Sequence, residues 1–261
     1  MKTEAYLQRI GHVGEVRPTE ATLRALHRAH LLTGPFENLD IHLGRKIICD
    51  EVRILRKIIN ERRGGFCYEL NGAFAALLRA LGFRVTLLSA RVGCEDGSLG
   101  PEFDHLTLRV DLEEPWLAEV GFGEGFLEPL RLESRTEQPE RGRVYRLTSR
   151  RASVDSAFEL EVMAEGKWKR EYAFTLQPRA LSDFAGMCHY HQTSPESHFT
   201  RHRICSLATP EGRVTLSDEK LIETNGSSRQ ERVLSGDQEW RAKLRDRFGV
   251  VLPDSSQEKP V

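Results

Sequence analysis

Residues 63–72 place Cys67 at the start of a predicted helix, where only Phe66 separates it from the glycine pair Gly64-Gly65. Glycines allow a sharp backbone turn, and the free N–H groups of a first helical turn favour a nearby negative charge. A thiol in this position can have its pKa lowered from about 8.5 to roughly 3.5–7.5, which produces a nucleophilic thiolate. The spacing therefore predicts that Cys67 is a reactive cysteine.

The same cysteine lies on the apolar face of its helix, so a structural role is equally compatible with the spacing. Cysteine is among the residue types most often buried, and it can serve simply as a small core side chain. A catalytic role requires partner residues elsewhere in the chain. Apolar side chains follow Cys67 at helical intervals, at Leu70, Phe74, Leu77, Leu78 and Leu81.

A histidine and a glutamate on one predicted hairpin are candidate partners. The hairpin is predicted to pair Val110 with Trp116 across a short loop. This register sets His105 opposite Gly121, with Glu119 as a diagonal neighbour of the histidine on the same face. An imidazole with a carboxylate behind it holds one tautomer, as in a catalytic triad. A one-residue shift would separate the two residues, and two polar side chains on a solvated strand face are the ordinary alternative.

The elements that carry these residues change in type near residue 83. Helical periodicity dominates from about residue 3 to residue 82, with helices predicted after Thr19, over residues 51–62 and after the glycine pair. Short strands follow, in a pattern typical of an antiparallel barrel or curled sheet. The predicted strands cover residues 83–92, 105–110, 116–122, 144–148, 158–163, 168–174, 203–207 and 213–216, and a last helix covers residues 239–248.

Composition argues against several classes of function. The chain has 261 residues, of which 30% are charged and 39% hydrophobic, and its formal net charge is −1. This balance, without a long basic stripe, argues against nucleic acid as a partner. The N-terminus lacks the apolar core of a signal peptide, and no apolar run is long enough to span a membrane. Five scattered cysteines without a C-x-x-C pair argue against a disulfide framework, so a reduced, cytoplasmic protein is expected.

Two groups of histidines are expected to have no catalytic role. His198 and His202 have the spacing of a helical metal site, but no H-E-x-x-H pattern accompanies them, and no metal is expected. His27 and His30 lie on a predicted helix and are expected to be surface or packing residues.

Further motifs occur in order along the chain: Pro35-Phe36-Glu37-Asn38, the cysteine motif, Phe103-Asp104-His105-Leu106, Glu119-Val120-Gly121-Phe122-Gly123 and Thr193-Ser194-Pro195-Glu196-Ser197. With these motifs, almost the whole chain resembles an arylamine N-acetyltransferase. The resemblance implies an α+β fold with a cysteine-protease-like core. It implies a helical bundle with the nucleophile in residues 1–85, an antiparallel β-barrel with the histidine and glutamate in residues 86–185, and an α/β lid in residues 186–261.

The resemblance also implies an activity. The family transfers an acetyl group from acetyl-CoA to arylamines and arylhydrazines by ping-pong chemistry, which extends to O-acetylation of N-hydroxyarylamines. Cys67 is implied as the catalytic nucleophile, His105 as its base and Glu119 as the residue that orients the imidazole. Acetyl-CoA is then a cosubstrate, and no permanently bound cofactor is expected. The N–H groups of Cys67 and Phe103 are candidate donors to the oxyanion.

Substrate contacts are implied at two further sets of residues. Phe36, Phe122 and Phe126 are candidates to line the arylamine pocket, since an aromatic substrate can stack on their rings. Ordinary core packing is the alternative for each phenylalanine. Phe103 and Asp104, together with the loop that begins at Gly121, are candidates to bind coenzyme A.

One residue departs from the family pattern, because Glu119 stands where the family usually has aspartate. Glutamate keeps the charge but adds a methylene group, so its carboxylate must fold back or approach from farther away to meet His105. We expect Glu119 to orient the imidazole. The alternatives are that Asp104 takes this role or that activity is reduced.

Three other functions remain open from the sequence. A cysteine protease or transglutaminase uses a similar set of thiol, imidazole and carboxylate, although the motifs around Phe36, Phe122 and Ser194 argue against it. An amide synthase of the same superfamily would use the same residues on a different substrate. A non-enzymatic binding module would retain a decayed triad.

Overall fold

The fold combines two antiparallel sheets with α-helices. A computed structural model describes residues 3–134, 136–150, 157–226 and 228–253. Within these residues, one sheet has eight strands and the other has five. The α+β class predicted from the sequence is confirmed.

Most of the helical residues lie before the first long strand. Two of the helices before this strand begin at side-chain caps, since Thr19 Oγ1 accepts the Thr22 N–H and Asp50 Oδ1 accepts the Arg53 N–H. The second of these helices continues as a π-helix, Arg56–Asn60. The α-helices are α1 (Thr3–Arg9), α2 (Glu20–Thr33), α3 (Leu39–His42), α4 (Glu51–Leu55), α5 (Cys67–Ala80), α6 (Ala185–Thr193), α7 (His198–Arg201) and α8 (Asp237–Phe248).

Helix α5 lies in the centre of the core. Every residue from Cys67 to Leu78 is buried. Its small and apolar side chains pack on all faces rather than along one stripe, as in a helix enclosed by other elements. It packs against α4 and against the strand that begins at His105. The position of Cys67 is therefore determined by core packing.

The strands divide into a curled sheet and a smaller open sheet. The curled sheet has the order β5-β4-β3-β2-β9-β8-β7-β6, and the smaller one has the order β1-β10-β11-β12-β13. The strands are β1 (Phe36–Glu37), β2 (Arg84–Val92), β3 (His105–Asp111), β4 (Pro115–Ala118), β5 (Leu130–Arg131), β6 (Gln138–Glu140), β7 (Arg143–Arg150), β8 (Ala157–Ala164), β9 (Lys167–Thr175), β10 (Cys205–Ala208), β11 (Gly212–Leu216), β12 (Lys220–Asn225) and β13 (Ser228–Val233).

The eight-stranded sheet nearly closes into a barrel. Its two edge strands meet where the Arg131 N–H donates to Gln138 Oε1 at 2.8 Å and Gln138 Nε2 donates to Arg131 O at 3.0 Å. These side-chain bonds join β5 to β6 without a regular ladder. The curled antiparallel sheet predicted from the short strands is thus present.

The five-stranded sheet joins distant parts of the chain. Phe36 and Glu37 of β1 pair with Ser206 and Cys205 of β10. The sequence pattern predicted β10 and β11 but neither β12 nor β13. Strand β13 was missed because it is exposed at every residue and has no apolar alternation. The division at residues 85 and 185 stays a prediction. No helix among the described residues is long and apolar enough to cross a membrane.

Candidate active site

Cys67 is the first residue of α5, and the glycine pair before it permits close packing. Neither Gly64 nor Gly65 has a positive φ, so their role is not a turn that only glycine can form. A Cβ on Gly64 would lie 1.8 Å from Pro35 O, and one on Gly65 would lie 2.6 Å from Glu69 Cβ. The two glycines therefore let the chain pass directly against its neighbours as it enters α5.

Buried charges hold the start of this helix. Arg63 Nη2 lies 2.8 Å from Glu37 Oε1, and Lys57 Nζ lies 2.8 Å from Glu69 Oε1. Glu69 Oε2 accepts the Phe66 N–H at 3.2 Å, which satisfies a donor at the helix N-terminus. Burial raises the pKa of Glu69 to about 7, with Lys57 opposing the rise and Glu37 adding to it. The helix start is therefore anchored by ion pairs inside the protein.

His105 and Glu119 form a hydrogen-bonded pair beside the cysteine. His105 is the first residue of β3, and its Nε2 lies 2.6 Å from Glu119 Oε2. The backbone of Leu106, the next residue of β3, and the charge of Glu119 both act on the pKa of the Cys67 thiol, so the cysteine lies close to this pair. The structure thus brings Cys67, His105 and Glu119 to one buried place. The carboxylate bonded to the imidazole is that of Glu119 and not that of Asp104.

The predicted hairpin register is correct near the loop, but the second strand is shorter than expected. Val110 pairs with Trp116, as predicted. Strand β4 ends at Ala118, so the expected pairing of His105 with Gly121 does not form. The predicted strand over residues 116–122 is therefore wrong in its second half.

Side chains from two helices end β4. The Glu119 N–H donates to His27 Nε2 at 3.0 Å, and the Val120 N–H donates to Asn71 Oδ1 at 2.9 Å. The backbone N–H groups of Glu119 and Val120 therefore cannot form ladder hydrogen bonds with β3. Glu119 reaches His105 from a loop that follows the strand, and not as a cross-strand neighbour.

The Glu119 carboxylate is held as an anion by several donors. Its Oε1 accepts Asn71 Nδ2 at 2.6 Å and the Gly121 N–H at 2.9 Å, while Oε2 faces His105. Burial alone raises the pKa of Glu119. The charge of His105 and the hydrogen bonds from His105, Asn71 and Gly121 outweigh burial and hold that pKa below its ordinary value. The longer glutamate side chain thus meets the imidazole and keeps both other donors.

The surroundings of Cys67 act against a free thiolate. The residue is 5% exposed. Burial raises the pKa of the Cys67 thiol well above its ordinary value, the Leu106 N–H lowers it, and the charge of Glu119 raises it further. The predicted lowering of the pKa is wrong for the thiol alone, because burial raises this pKa more than the backbone groups of Leu106 and Tyr68 lower it. A thiolate here needs an adjacent cation, which protonated His105 can supply.

Gly121 is the point where the loop after β4 touches α5. A Cβ there would lie 2.8 Å from Cys67 Cα and 2.8 Å from Asn71 Nδ2. We expect Gly121→Ala to lower the free energy of unfolding by about 1–3 kcal/mol, because the added methyl group meets a buried helix backbone. Denaturant unfolding measures this change.

Gly186→Ala is the matched control for this substitution. A Cβ on Gly186 meets no atom within 4 Å, and the residue lies in α6. Alanine there should leave the stability unchanged or raise it by about 0.5–1 kcal/mol. Equal losses of unfolding free energy in Gly121→Ala and Gly186→Ala would contradict the close contact between Gly121 and α5.

Aromatic rings cover the imidazole. The ring centroid of His105 lies 5.1 Å from that of Phe122 and 5.3 Å from that of Tyr172. Tyr172 is fully buried, whereas Phe122 is half-buried. Of these two rings, Phe122 is therefore the one positioned to meet a ligand.

Comparison with known proteins identifies the family. A family model described as N-acetyltransferase matches residues 19–257. The chain is 34% identical to the arylamine N-acetyltransferase of Escherichia coli strain K12, over 96% of this chain and 89% of that protein. It is 35% identical to the arylamine N-acetyltransferase of Mycolicibacterium smegmatis, over 97% of this chain and 94% of that protein. The chain belongs to the arylamine N-acetyltransferase family.

Solved structures of arylamine N-acetyltransferases share this fold. The enzyme from Salmonella typhimurium superimposes with a TM-score of 0.90 at 32% identity, covering 99% of this chain and 94% of that one. The Mycobacterium marinum arylamine N-acetyltransferase in complex with CoA gives a TM-score of 0.87 at 30% identity, covering 95% and 93% of the two chains. The chain is accordingly an acyltransferase.

The two other phenylalanines predicted to line the arylamine pocket lie in different surroundings. Phe36 is half-buried in β1, with its ring centroid 6.0 Å from that of Phe199. Phe126 is 0% exposed, and its ring stacks on His27 at 5.7 Å. In this conformation Phe126 offers no surface to a ligand, which corresponds to the alternative of core packing.

The two candidate coenzyme A contacts precede His105. Phe103 has a φ of 64°, and its N–H donates to Ser89 Oγ at 2.8 Å. The expectation that this N–H donates to an oxyanion is therefore wrong for the conformation observed. Asp104 Oδ1 lies 3.2 Å from His191 Nε2, so this carboxylate faces α6.

Three residues at the site of this family member were not predicted from the sequence to belong to it, and one of them, His27, was expected to be a surface or packing residue. Asn71 lies one helical turn after the cysteine, and this spacing was a signal that could have identified it. His27 is buried and bonded at both ring nitrogens, and burial lowers its pKa to about 4. Tyr172 places its hydroxyl 3.4 Å from Thr107 Oγ1. His27 and Tyr172 carry no local signal, because their partners are distant in the sequence.

The histidines near the C-terminal sheet do not have the helical spacing considered from the sequence. Helix α7 ends at Arg201, so His202 lies outside it. His202 Nδ1 instead lies 3.2 Å from Asp218 Oδ2. Among the described residues there is no group of three or more side chains arranged to hold a metal ion.

Proposed function

We propose that this protein transfers an acetyl group from acetyl-CoA to arylamines and arylhydrazines through an acetyl-Cys67 thioester. The same intermediate would serve O-acetylation of N-hydroxyarylamines. The observation that carries the proposal is the His105–Glu119 pair, joined at 2.6 Å beside the sulfur of Cys67. Relatives named as arylamine N-acetyltransferases and a relative solved with CoA support it.

In the first half-reaction, the thiol of Cys67 becomes the nucleophile. Glu119 accepts a hydrogen bond from Nε2–H of His105, an assignment that leaves the Nδ1 lone pair to take the thiol proton. The thiolate attacks the thioester carbonyl, the bond from carbonyl carbon to coenzyme A sulfur breaks, and coenzyme A leaves with the proton. One thioester replaces another, so this step is nearly balanced in free energy.

The start of α5 is suited to stabilise the tetrahedral intermediate. The N–H of Cys67 is one of the free donors of the first helical turn. A donor fixed in a buried site stabilises a developing oxyanion more strongly than water does. We assign this N–H as an oxyanion donor.

In the second half-reaction, the amine nitrogen attacks the acetyl carbonyl. His105 removes the proton that the amine loses, and the sulfur of Cys67 leaves as the thiol. Amide formation from a thioester is downhill, which drives the overall transfer. In this proposal Phe36 and Phe122 line the arylamine pocket and Phe126 supports it from the core. Phe103 and Asp104 lie beside the path of coenzyme A, and a cytoplasmic location stays a prediction.

Mass spectrometry tests the proposed intermediate. After incubation with acetyl-CoA, the intact protein should gain one acetyl group, and peptide mapping should locate it on Cys67. Addition of a simple arylamine should remove the group and yield the N-acetylated amine. The proposal would be contradicted by a folded protein that takes up no acetyl group although its Cys67 reacts with an alkylating agent in a parallel sample.

The pH dependence of Cys67 alkylation tests the role of His105. Burial raises the pKa of the isolated thiol, so a thiolate that persists below pH ~7 requires the imidazolium. We expect Cys67 of the wild-type protein to be alkylated below pH ~7. In His105→Gln, we expect Cys67 to react only above pH ~8.5, which is the ordinary pKa of a thiol. The rate is followed with iodoacetamide and peptide mass spectrometry. The exposed thiol of Cys94 is an internal control, and equal Cys67 profiles in the two proteins would contradict the thiolate–imidazolium pair.

A further inference from the structure

A cavity lined by both sheets adjoins the loop that carries Phe122. Its volume is about 200 Å³. Residues of this loop, of β7 and of the smaller sheet form its walls. The charged residues around it are Arg141, Arg143, Arg213, Arg229, Glu124, Glu140 and Glu211.

Arg213 of β11 has no carboxylate partner of its own among the described residues. It is half-buried, and its hydrogen bond runs from Nη1 to Ser206 Oγ at 3.0 Å. Glu124 is the carboxylate with the largest electrostatic effect on Arg213, but its Oε2 already lies 3.5 Å from Nη2 of Arg143. Burial lowers the pKa of Arg213 to about 10, with Arg143 acting in the same direction. A half-buried guanidinium that has no carboxylate partner and has N–H donors at a cavity is stabilised when an anion binds there.

The acids of the cavity do not supply that anion. Glu211 is exposed at the rim. Glu140 has a buried Oε1 without a hydrogen-bond partner in the described structure, and burial raises the pKa of its carboxyl. The four arginines and three glutamates therefore leave a net positive charge at the cavity.

We propose that this cavity binds a phosphate group, and that Arg213 is its principal ligand. The planar guanidinium fork matches two phosphate oxygens, and the exposed Arg141 and Arg143 add positive charge at the rim. Gly125 of the cavity wall lies against the catalytic pair, since a Cβ added there would be 3.8 Å from Glu119 Cγ. Resting on the proposed function, we assign the phosphate to the nucleotide end of acetyl-CoA.

Two acetyl donors test this assignment in Arg213→Gln. The first donor is acetyl-CoA, and the second is N,S-diacetylcysteamine, a thioester without nucleotide or phosphate. We expect the KM for acetyl-CoA to rise about 10- to 100-fold, the size of a lost charge-assisted contact, with kcat unchanged. The kinetic constants for the short thioester should stay at wild-type values. Equal losses with both donors, or no loss with either, would overturn the proposal.

Two further variants control for charge and folding. Arg56→Gln removes an exposed arginine, whose side chain is 76% exposed, and should leave the KM for acetyl-CoA unchanged. Arg213→Lys keeps the positive charge and should recover part of the acetyl-CoA affinity without changing the Tm. A rise in KM in Arg56→Gln as large as that in Arg213→Gln would show a general charge effect and overturn the specific contact.

Inorganic phosphate distinguishes the cosubstrate from a free anion. It should compete with acetyl-CoA but not with the short thioester, and this competition should be lost in Arg213→Gln. If phosphate raises the Tm of the wild-type protein without competing with acetyl-CoA, the cavity binds a free anion and the assignment to the cosubstrate is wrong. Failure of both donors to acetylate Cys67 would instead overturn the proposed function, while the phosphate-dependent Tm shift would still report on the cavity.

Discussion

Replacing Cys67 with alanine should abolish acetyl transfer, with a loss on the order of 10⁴-fold or more in kcat/KM. No acyl-enzyme can form without the sulfur. His105 and Glu119 cannot replace it, since their hydrogen bond to each other orients a base and not a nucleophile. The loss is measured by the release of coenzyme A in the presence of an arylamine, and by the absence of an acetyl group in the intact mass.

Cys94→Ala is the matched control for this variant, because Cys94 is an exposed free cysteine outside the site. It should keep wild-type activity. The Tm of Cys67→Ala should remain close to that of the wild-type protein, since only one buried sulfur is removed from the helix start. Acetyl uptake by folded Cys67→Ala would show that another residue carries the acetyl group.

Replacing Glu119 with glutamine should reduce kcat by on the order of 10³–10⁴-fold, because the amide imposes the wrong imidazole tautomer. Asn71 Nδ2 and the Gly121 N–H both donate to Oε1 of Glu119, so the amide oxygen of glutamine must take that place. The amide nitrogen then faces Nε2 of His105 and donates to it. The proton of the imidazole moves to Nδ1, and the thiol of Cys67 meets an N–H in place of a lone pair. Single-turnover acetylation of Cys67 measures this effect directly.

Glu119→Asp separates the charge of this residue from its length. Aspartate keeps the carboxylate and its acceptor role, and the loop can shift to compensate for one methylene. We expect its kcat to stay within about tenfold of the wild-type value, far above that of Glu119→Gln. Similar losses in Glu119→Asp and Glu119→Gln would show that position, and not tautomer control, is the main contribution of Glu119.

The sequence alone determined features that depend on neighbouring residues. The glycine pair and Cys67 marked a helix start because caps and close packing act within one turn. Thr19 marked another start for the same reason, and the pairing of Val110 with Trp116 followed from the short loop between them. The triad residues were recognisable because their motifs are local stretches in a fixed order.

The tertiary structure decided features that arise between distant segments. Strand β4 ends at Ala118 because His27 and Asn71, from two other elements, accept the next two backbone donors. No period in the local sequence carries that information. Likewise, β1 joins a sheet whose other strands begin at Cys205, far along the chain.

The tertiary structure also decided the electrostatics of the site. A helix start alone predicts a lowered pKa for Cys67, whereas burial in the folded protein raises it. Desolvation depends on everything packed around the sulfur, which a local motif does not specify. The same reason applies to Arg213, whose lack of a carboxylate partner among the described residues follows from the packing of two sheets. The reactive residues were therefore readable from the chain, but the environment that sets their charge exists only in the fold.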